Sequence, residues 1–202
     1  YDAQTPAYYQ DFRAFQVVRY GATGAENLGV IDASNFPMTS STPPHSIYDP
    51  SPNPNFNAAD FDPKTGLLIV GMLRDGGYRG NANYPQQNTL LRIDVTVNPP
   101  KLVSVLTLKQ ALPSRKSGDF AIDATGTYAY GIATGPSGTG YTLTWWRADL
   151  TTGDVITKSF GSGNRDFGAA AALPDGNFAF YSNEDGRVTV VDADGKELSA
   201  DN

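Results

Sequence analysis

The sequence predicts an all-β protein of the β-propeller type, with about three complete antiparallel blades, a partial one, and a ring that is left incomplete. Three observations carry this. Short apolar strands alternate with turn signals, a helical period holds nowhere for three turns, and two strand-and-turn phrases each occur three times. Sheets of like design in series are the signature of radial or solenoid repetition, because one sheet with two apolar faces cannot cover both of them alone.

The first phrase is a hairpin. Residues 57–61 lead into Asp62-Pro63-Lys64-Thr65-Gly66 and out through Leu67-Leu68-Ile69-Val70-Gly71, with Pro and Gly closing the turn. It returns as Asp119-Phe120-Ala121-Ile122, Asp123-Ala124-Thr125-Gly126 and residues 127–131. It returns again from Phe167 to Tyr181 around Pro174-Asp175-Gly176-Asn177. The second phrase is a strand ending in Asp: Leu90-Leu91-Arg92-Ile93-Asp94, Trp145-Trp146-Arg147-Ala148-Asp149 and Val188-Thr189-Val190-Val191-Asp192, each opening a further hairpin. Leu28-Gly29-Val30-Ile31-Asp32 reads as a fourth copy whose partner strand is hidden by the Pro-rich stretch after it. The glycines Gly66, Gly126 and Gly176 stand 60 and 50 residues apart and the aspartates Asp94, Asp149 and Asp192 stand 55 and 43 apart, bracketing the 40–50 residues or so of a propeller blade.

The predicted blades are residues 57–108, 119–160 and 167–202. Residues 1–56 form an N-terminal arm, a strand pair near 14–32 and a Pro-rich connection. Pro37, Pro43, Pro44, Pro50, Pro52 and Pro54 favour extended backbone there, and 75–88 is a second long loop, rich in Gly, Asn and Gln. An open arc leaves a bare sheet face at each end, so another chain segment or partner is expected to complete the ring.

Composition narrows the function. The 202 residues carry a net charge of −6, which opposes nucleic-acid phosphates and anionic lipid surfaces. No apolar run reaches the roughly 20 residues of a membrane helix, and no basic, apolar leader stands at Tyr1, as in a mature secreted chain or a cytoplasmic one. With no Cys and a single His, His45, neither a Ser-His-Asp arrangement nor a structural zinc site is expected, and no catalytic residue is assigned. Gly135-Pro136-Ser137-Gly138-Thr139-Gly140 is Gly-rich, but it fits a blade loop better than a phosphate cradle at a helix N-terminus.

Carboxylates and aromatics remain. Asp192 and Asp194, in Asp192-Ala193-Asp194-Gly195, resemble the opening of a calcium loop but lack the Glu that would close it, so a plain β-turn is the simpler reading. Asn183-Glu184-Asp185-Gly186 reads the same way. Glu26, Asp60, Asp119 and Asp166 stand beside strand starts, where a calcium-dependent hydrolase or lactonase site would sit at a channel mouth. Trp145 and Trp146 are adjacent, so on a strand they take opposite faces, and one of them is expected to be exposed or covered by a partner. With Tyr8, Tyr9, Tyr78 and Tyr84 in loops they form the candidate binding surface.

The phrases around Asn57-Ala58, Asp62-Pro63, Gly66-Leu67-Leu68 and Gly71, with Leu90 to Asp94 and Gly118-Asp119-Phe120, resemble a propeller-like repeat domain of secreted and surface-anchored proteins of Actinobacteria and other Gram-positive bacteria. The resemblance spans roughly residues 55–195. It implies an extracellular or cell-envelope location and carries no enzymatic residues. The expected function is thus a non-enzymatic interaction module for a protein or a glycan, without a cofactor. The rival readings are the calcium-dependent hydrolase and an accessory subunit of a larger envelope complex.

Overall fold

The computed structural model describes residues 14–32, 58–71, 89–110, 118–137 and 140–201. Among the described residues fourteen strands build a two-stranded sheet and three four-stranded ones, all antiparallel. β1 (Ala14–Gly21) and β2 (Gly24–Asp32) form the N-terminal hairpin. Sheet one holds β3 (Ala58–Phe61), β4 (Leu68–Gly71), β5 (Thr89–Asp94) and β6 (Lys101–Thr107). Sheet two holds β7 (Ala121–Ile122), β8 (Tyr128–Ser137), β9 (Gly140–Asp149) and β10 (Val155–Ser162), and sheet three β11 (Phe167–Ala172), β12 (Phe178–Ser182), β13 (Val188–Val191) and β14 (Glu197–Asp201). Strands follow one another across each sheet in chain order, and the first strands β3, β7 and β11 approach one another between sheets. This is the arrangement of propeller blades, with first strands innermost.

The two repeated phrases are the two turn types of a blade. In the first turn of sheet one, Asp62 accepts from the Lys64 amide at 2.9 Å, and the Gly66 amide donates to the Asp62 carbonyl at 2.8 Å. In sheet two the Asp123 carboxylate accepts from the amides of Thr127 and Tyr128. The strand-ending aspartates do the same for the last hairpin: Asp94 accepts from Thr96, Asp149 from Thr151 and Thr152, and Asp192 from Asp194 and Lys196. Each carboxylate satisfies amides that the tight turn removes from the ladder, which is why Asp recurs there.

Packing runs through the sheets from face to face. Ala58, Ile69 and Leu90 of sheet one meet Phe120, Ile122, Ala129, Trp146, Ala148 and Leu150 of sheet two and its approach. The opposite face of sheet two, with Ala121, Tyr130, Ile132 and Trp145, meets Phe167, Phe178, Phe180 and Val191 of sheet three. Tyr130 stacks on Phe178 with ring centroids 3.9 Å apart.

Trp145 and Trp146 do point to opposite faces, yet both are buried, which overturns the expectation that one is exposed. Both faces of sheet two are interior at the tryptophans, so alternation there moves a ring from one joint to the next and not to water. Trp146 lies across β8 at Gly131, where an added Cβ would sit 2.3 Å from its ring. We expect Gly131→Ala to lower unfolding free energy by about 1–3 kcal/mol through overpacking of this ring. Gly135→Ala, on the same strand with open space around it, is expected to change little. Urea unfolding of the two variants checks the difference.

Candidate functional site: axial carboxylates and the loop rim

Antiparallel order sorts the connections onto two rims. The β3–β4, β5–β6 and equivalent turns lie at one rim, while the β8–β9 and β12–β13 hairpins and the links between sheets lie at the other. The first rim is built of tight Asp and Gly turns. The second carries the longer and more varied loops, the usual place for binding groups on a rigid scaffold.

Near the axis, two carboxylates join three sheets. Asp60 on β3 accepts from its neighbour Phe61 at 2.8 Å and, through its other oxygen, from the Ile122 amide on β7 at 2.8 Å. Asp119, just ahead of β7, accepts from Phe120 at 3.0 Å and from the Ala170 amide on β11 at 3.0 Å, and the Ala59 amide also reaches it. An innermost strand has no ladder partner on its axial side, so its amides need acceptors from elsewhere. The aspartate of the preceding sheet supplies one.

Burial pushes both carboxyls above the ordinary aspartate value, the amide donors pull against that shift, and the charge of Asp60 raises Asp119 further. Both groups are half-buried and committed to backbone. Of the other two carboxylates read from the sequence, Glu26 lies exposed on β2 in the N-terminal hairpin. Asp166 precedes β11, and its carbonyl accepts from the Asn183 amide at 2.8 Å. Among the described residues no three of His, Cys, Asp or Glu converge as a metal site.

The Asp192–Gly195 turn has a different task from the calcium loop it resembles. Two amides occupy an oxygen of Asp192, and the Asp194 carbonyl accepts from Lys158 Nζ at 2.6 Å. Lys158 belongs to sheet two and also lies over the Trp145 ring, 5.4 Å from its centroid. Gly195, at φ 77°, fits under that ring where a Cβ would stand 2.5 Å from it. The same lock closes the previous joint: Lys109 donates its amide to the Gly153 carbonyl at 2.8 Å and pairs with Asp154 at 2.7 Å. These turns are docking points between blades.

At the loop rim, Arg165 Nε pairs with Asp185 at 3.3 Å, Thr134 donates its hydroxyl to the Arg165 carbonyl, and the Gly163 amide donates to the Tyr141 carbonyl at 3.1 Å. Tyr141 is 42% exposed on β9, at the tip of the longest hairpin of sheet two. Sequence reading passed over it, although an aromatic next to a Gly-rich hairpin tip was the available signal. Tyr8, Tyr9, Tyr78 and Tyr84, with His45, the Pro-rich connection and the whole 75–88 loop, lie outside the described residues. No described helix is long and apolar enough to cross a membrane.

The chain resembles solved structures at low identity. A hydrazine synthase of Kuenenia stuttgartiensis is 10% identical over 73% of this chain, with a TM-score of 0.44. A chain of a nidogen/laminin complex is 9% identical over 91% of this chain and 88% of its own length, with a TM-score of 0.32. This chain spans 35% of the hydrazine synthase chain. No family model matches the sequence, and no curated protein does.

The axial pair gives a pH signature. A carboxyl whose folded value is raised holds its proton more tightly in the native state, so its contribution to stability is full below the unfolded value of about 3.9 and is lost as pH rises through the folded value. The stability difference between wild type and Asp60→Asn/Asp119→Asn is therefore expected to shrink with rising pH above about 4. Chemical unfolding across the acid range reads this, and a difference that grows instead contradicts it. Asp119→Ala should cost about 1–3 kcal/mol at neutral pH, because the Ala170 and Phe120 amides lose their acceptor.

Proposed function

We propose that the chain is a non-enzymatic β-propeller module of a secreted or cell-envelope protein, and that its loop rim holds a protein or a glycan. The observation that carries this reading is Tyr141, a large aromatic left exposed near the start of β9, at the rim of the β8–β9 hairpin. An aromatic on a fixed strand binds at low entropic cost, offering its face to a sugar ring or an apolar side chain and its hydroxyl to a polar group.

The carboxylates point the same way. Asp60, Asp119, Asp62, Asp123, Asp149 and Asp192 all spend oxygens on backbone amides, in turns or between blades. Such groups serve the scaffold, and the calcium-dependent hydrolase would need several of them released from it. The envelope location rests on the resemblance of the repeat phrases to those of actinobacterial surface proteins. It follows that no cofactor is required for binding.

Retention on isolated Gram-positive cell walls, with and without their proteins stripped, tests the reading. Wild type is expected to be retained, and Tyr141→Ser to bind about tenfold more weakly, roughly 1.4 kcal/mol, at an unchanged melting temperature. Equal retention of the two proteins sinks the assignment to this rim. Calcium is expected to leave the melting temperature and retention unchanged; stabilisation by calcium together with lactone hydrolysis would favour the enzyme.

A further inference from the structure

The link from sheet two to sheet three crosses the mouth of the joint between them. It leaves the outermost strand, β10, at Ser162 and enters the innermost strand, β11, at Phe167, with residues 163–166 to span the width of the sheet. Two tethers mark its path. The Gly163 amide donates to the Tyr141 carbonyl on β9 at 3.1 Å, and the Arg165 carbonyl accepts from the Thr134 hydroxyl on β8. Arg165 thus passes one strand further in than Tyr141, a lateral step of about 4.8 Å. On the side of sheet three the Asp166 carbonyl accepts from the Asn183 amide at 2.8 Å, which ties the link to the β12–β13 turn.

Both walls present side chains at this mouth. Tyr141 alternates with Leu143 and Trp145, so its ring stands on the face of sheet two that packs on sheet three, above that core and 42% exposed. Arg165 reaches across to sheet three, where its Nε pairs with Asp185 at 3.3 Å and Asp185 is held in turn by the Arg187 amide at 3.3 Å. The two paired side chains are 22% and 36% exposed. The pair engages Nε, so among the described residues the terminal amino groups of the guanidinium stay available as donors.

Chemistry narrows the ligand. Link and turn together carry Arg165 and Arg187 against Asp166, Glu184 and Asp185, so an anion meets three carboxylates and a cation meets two guanidiniums. A protein interface gathers several apolar anchors, whereas Tyr141 is the one large apolar side chain exposed at this mouth among the described residues. Tyr181 and Val188 flank the same turn on the other face of sheet three. A neutral sugar fits each of these features. Its C–H face covers an aromatic ring, and its adjacent hydroxyls, each both donor and acceptor, answer a fixed guanidinium beside a fixed carboxylate.

We propose that the mouth between sheets two and three binds a neutral glycan through a vicinal diol, with Tyr141 under the sugar ring and Arg165 and Asp185 on the two hydroxyls. This rests on the loop-rim reading above and narrows it from a protein or a glycan to an uncharged sugar.

Retention on protein-stripped Gram-positive cell walls tests it, before and after periodate oxidation, which cleaves vicinal diols and spares carboxylates and phosphates. Wild type is expected to be retained by the stripped walls and to lose about tenfold or more of that affinity after periodate. Retention is expected to hold between about 0.05 and 0.5 M salt, where screening would weaken an ionic ligand. Arg165→Gln and Asp185→Asn are each expected to bind about tenfold more weakly at an unchanged circular dichroism spectrum, and Tyr181→Ser, on the opposite face of sheet three, to bind as wild type does. Retention that survives periodate, or that falls steeply with salt, overturns the proposal, as does unchanged binding by both rim variants. The periodate and salt arms use wild type alone, so they decide even where a variant fails to fold. Retention on intact walls that is lost once proteins are stripped also overturns it, but leaves the rim as a protein site. Absence of retention on either material removes the underlying reading as well.

Discussion

The structure depends on one constraint: a four-stranded sheet that is apolar on both faces must have a neighbour on each. Trp145 and Trp146 make the point on a single strand, one ring entering the joint with sheet three and the other the joint with sheet one. Burying either ring removes on the order of 150–250 Å² of side chain from water, so the two joints of sheet two are held by the largest apolar groups of the chain. The rest of the architecture follows from keeping those faces in contact. Alanines on the innermost strands let the sheets converge, Gly131 and Gly195 make room for the indoles, and Lys109 and Lys158 clamp the turn of the next sheet.

The polar groups are subordinate to the same geometry. Stacking sheets around an axis leaves an amide edge on every innermost strand, and Asp60 and Asp119 answer it across the joints. That solution has a cost, since burial raises both carboxyls and makes their ionisation oppose folding. The turn aspartates show the contrary balance. Asp94 is lowered first by the Thr96 hydroxyl, and Asp154 first by Lys109. Like residues therefore carry opposite pH dependence according to their place in the blade.

Much of the fold was legible because each turn has a local chemical cause. Asp with Gly marks the hairpins whether or not the rest of the molecule is known, and those marks located strands of all three four-stranded sheets and the β2 strand ending at Asp32. The site was less legible. Adjacent tryptophans on a strand imply opposite faces, but whether a face is wet depends on the neighbouring sheet, which no local pattern contains. The bridging by Asp60 and Asp119 is likewise a relation between residues 62 and 51 positions apart, with nothing in either segment to announce it. Asp192 and Asp194 were readable as a turn; their role beneath Trp145 was not.

The order of strands within each sheet has a kinetic side. Every four-stranded sheet is a meander in which each strand pairs with the one made just before it, so no ladder waits for a distant part of the chain. Loop closure within sheets two and three is short and its entropic toll small, which sets them apart from Greek-key proteins of similar strand content. Sheets can thus condense in turn as the polypeptide emerges from the ribosome. Only the docking of one finished sheet on the next asks for contacts between remote segments.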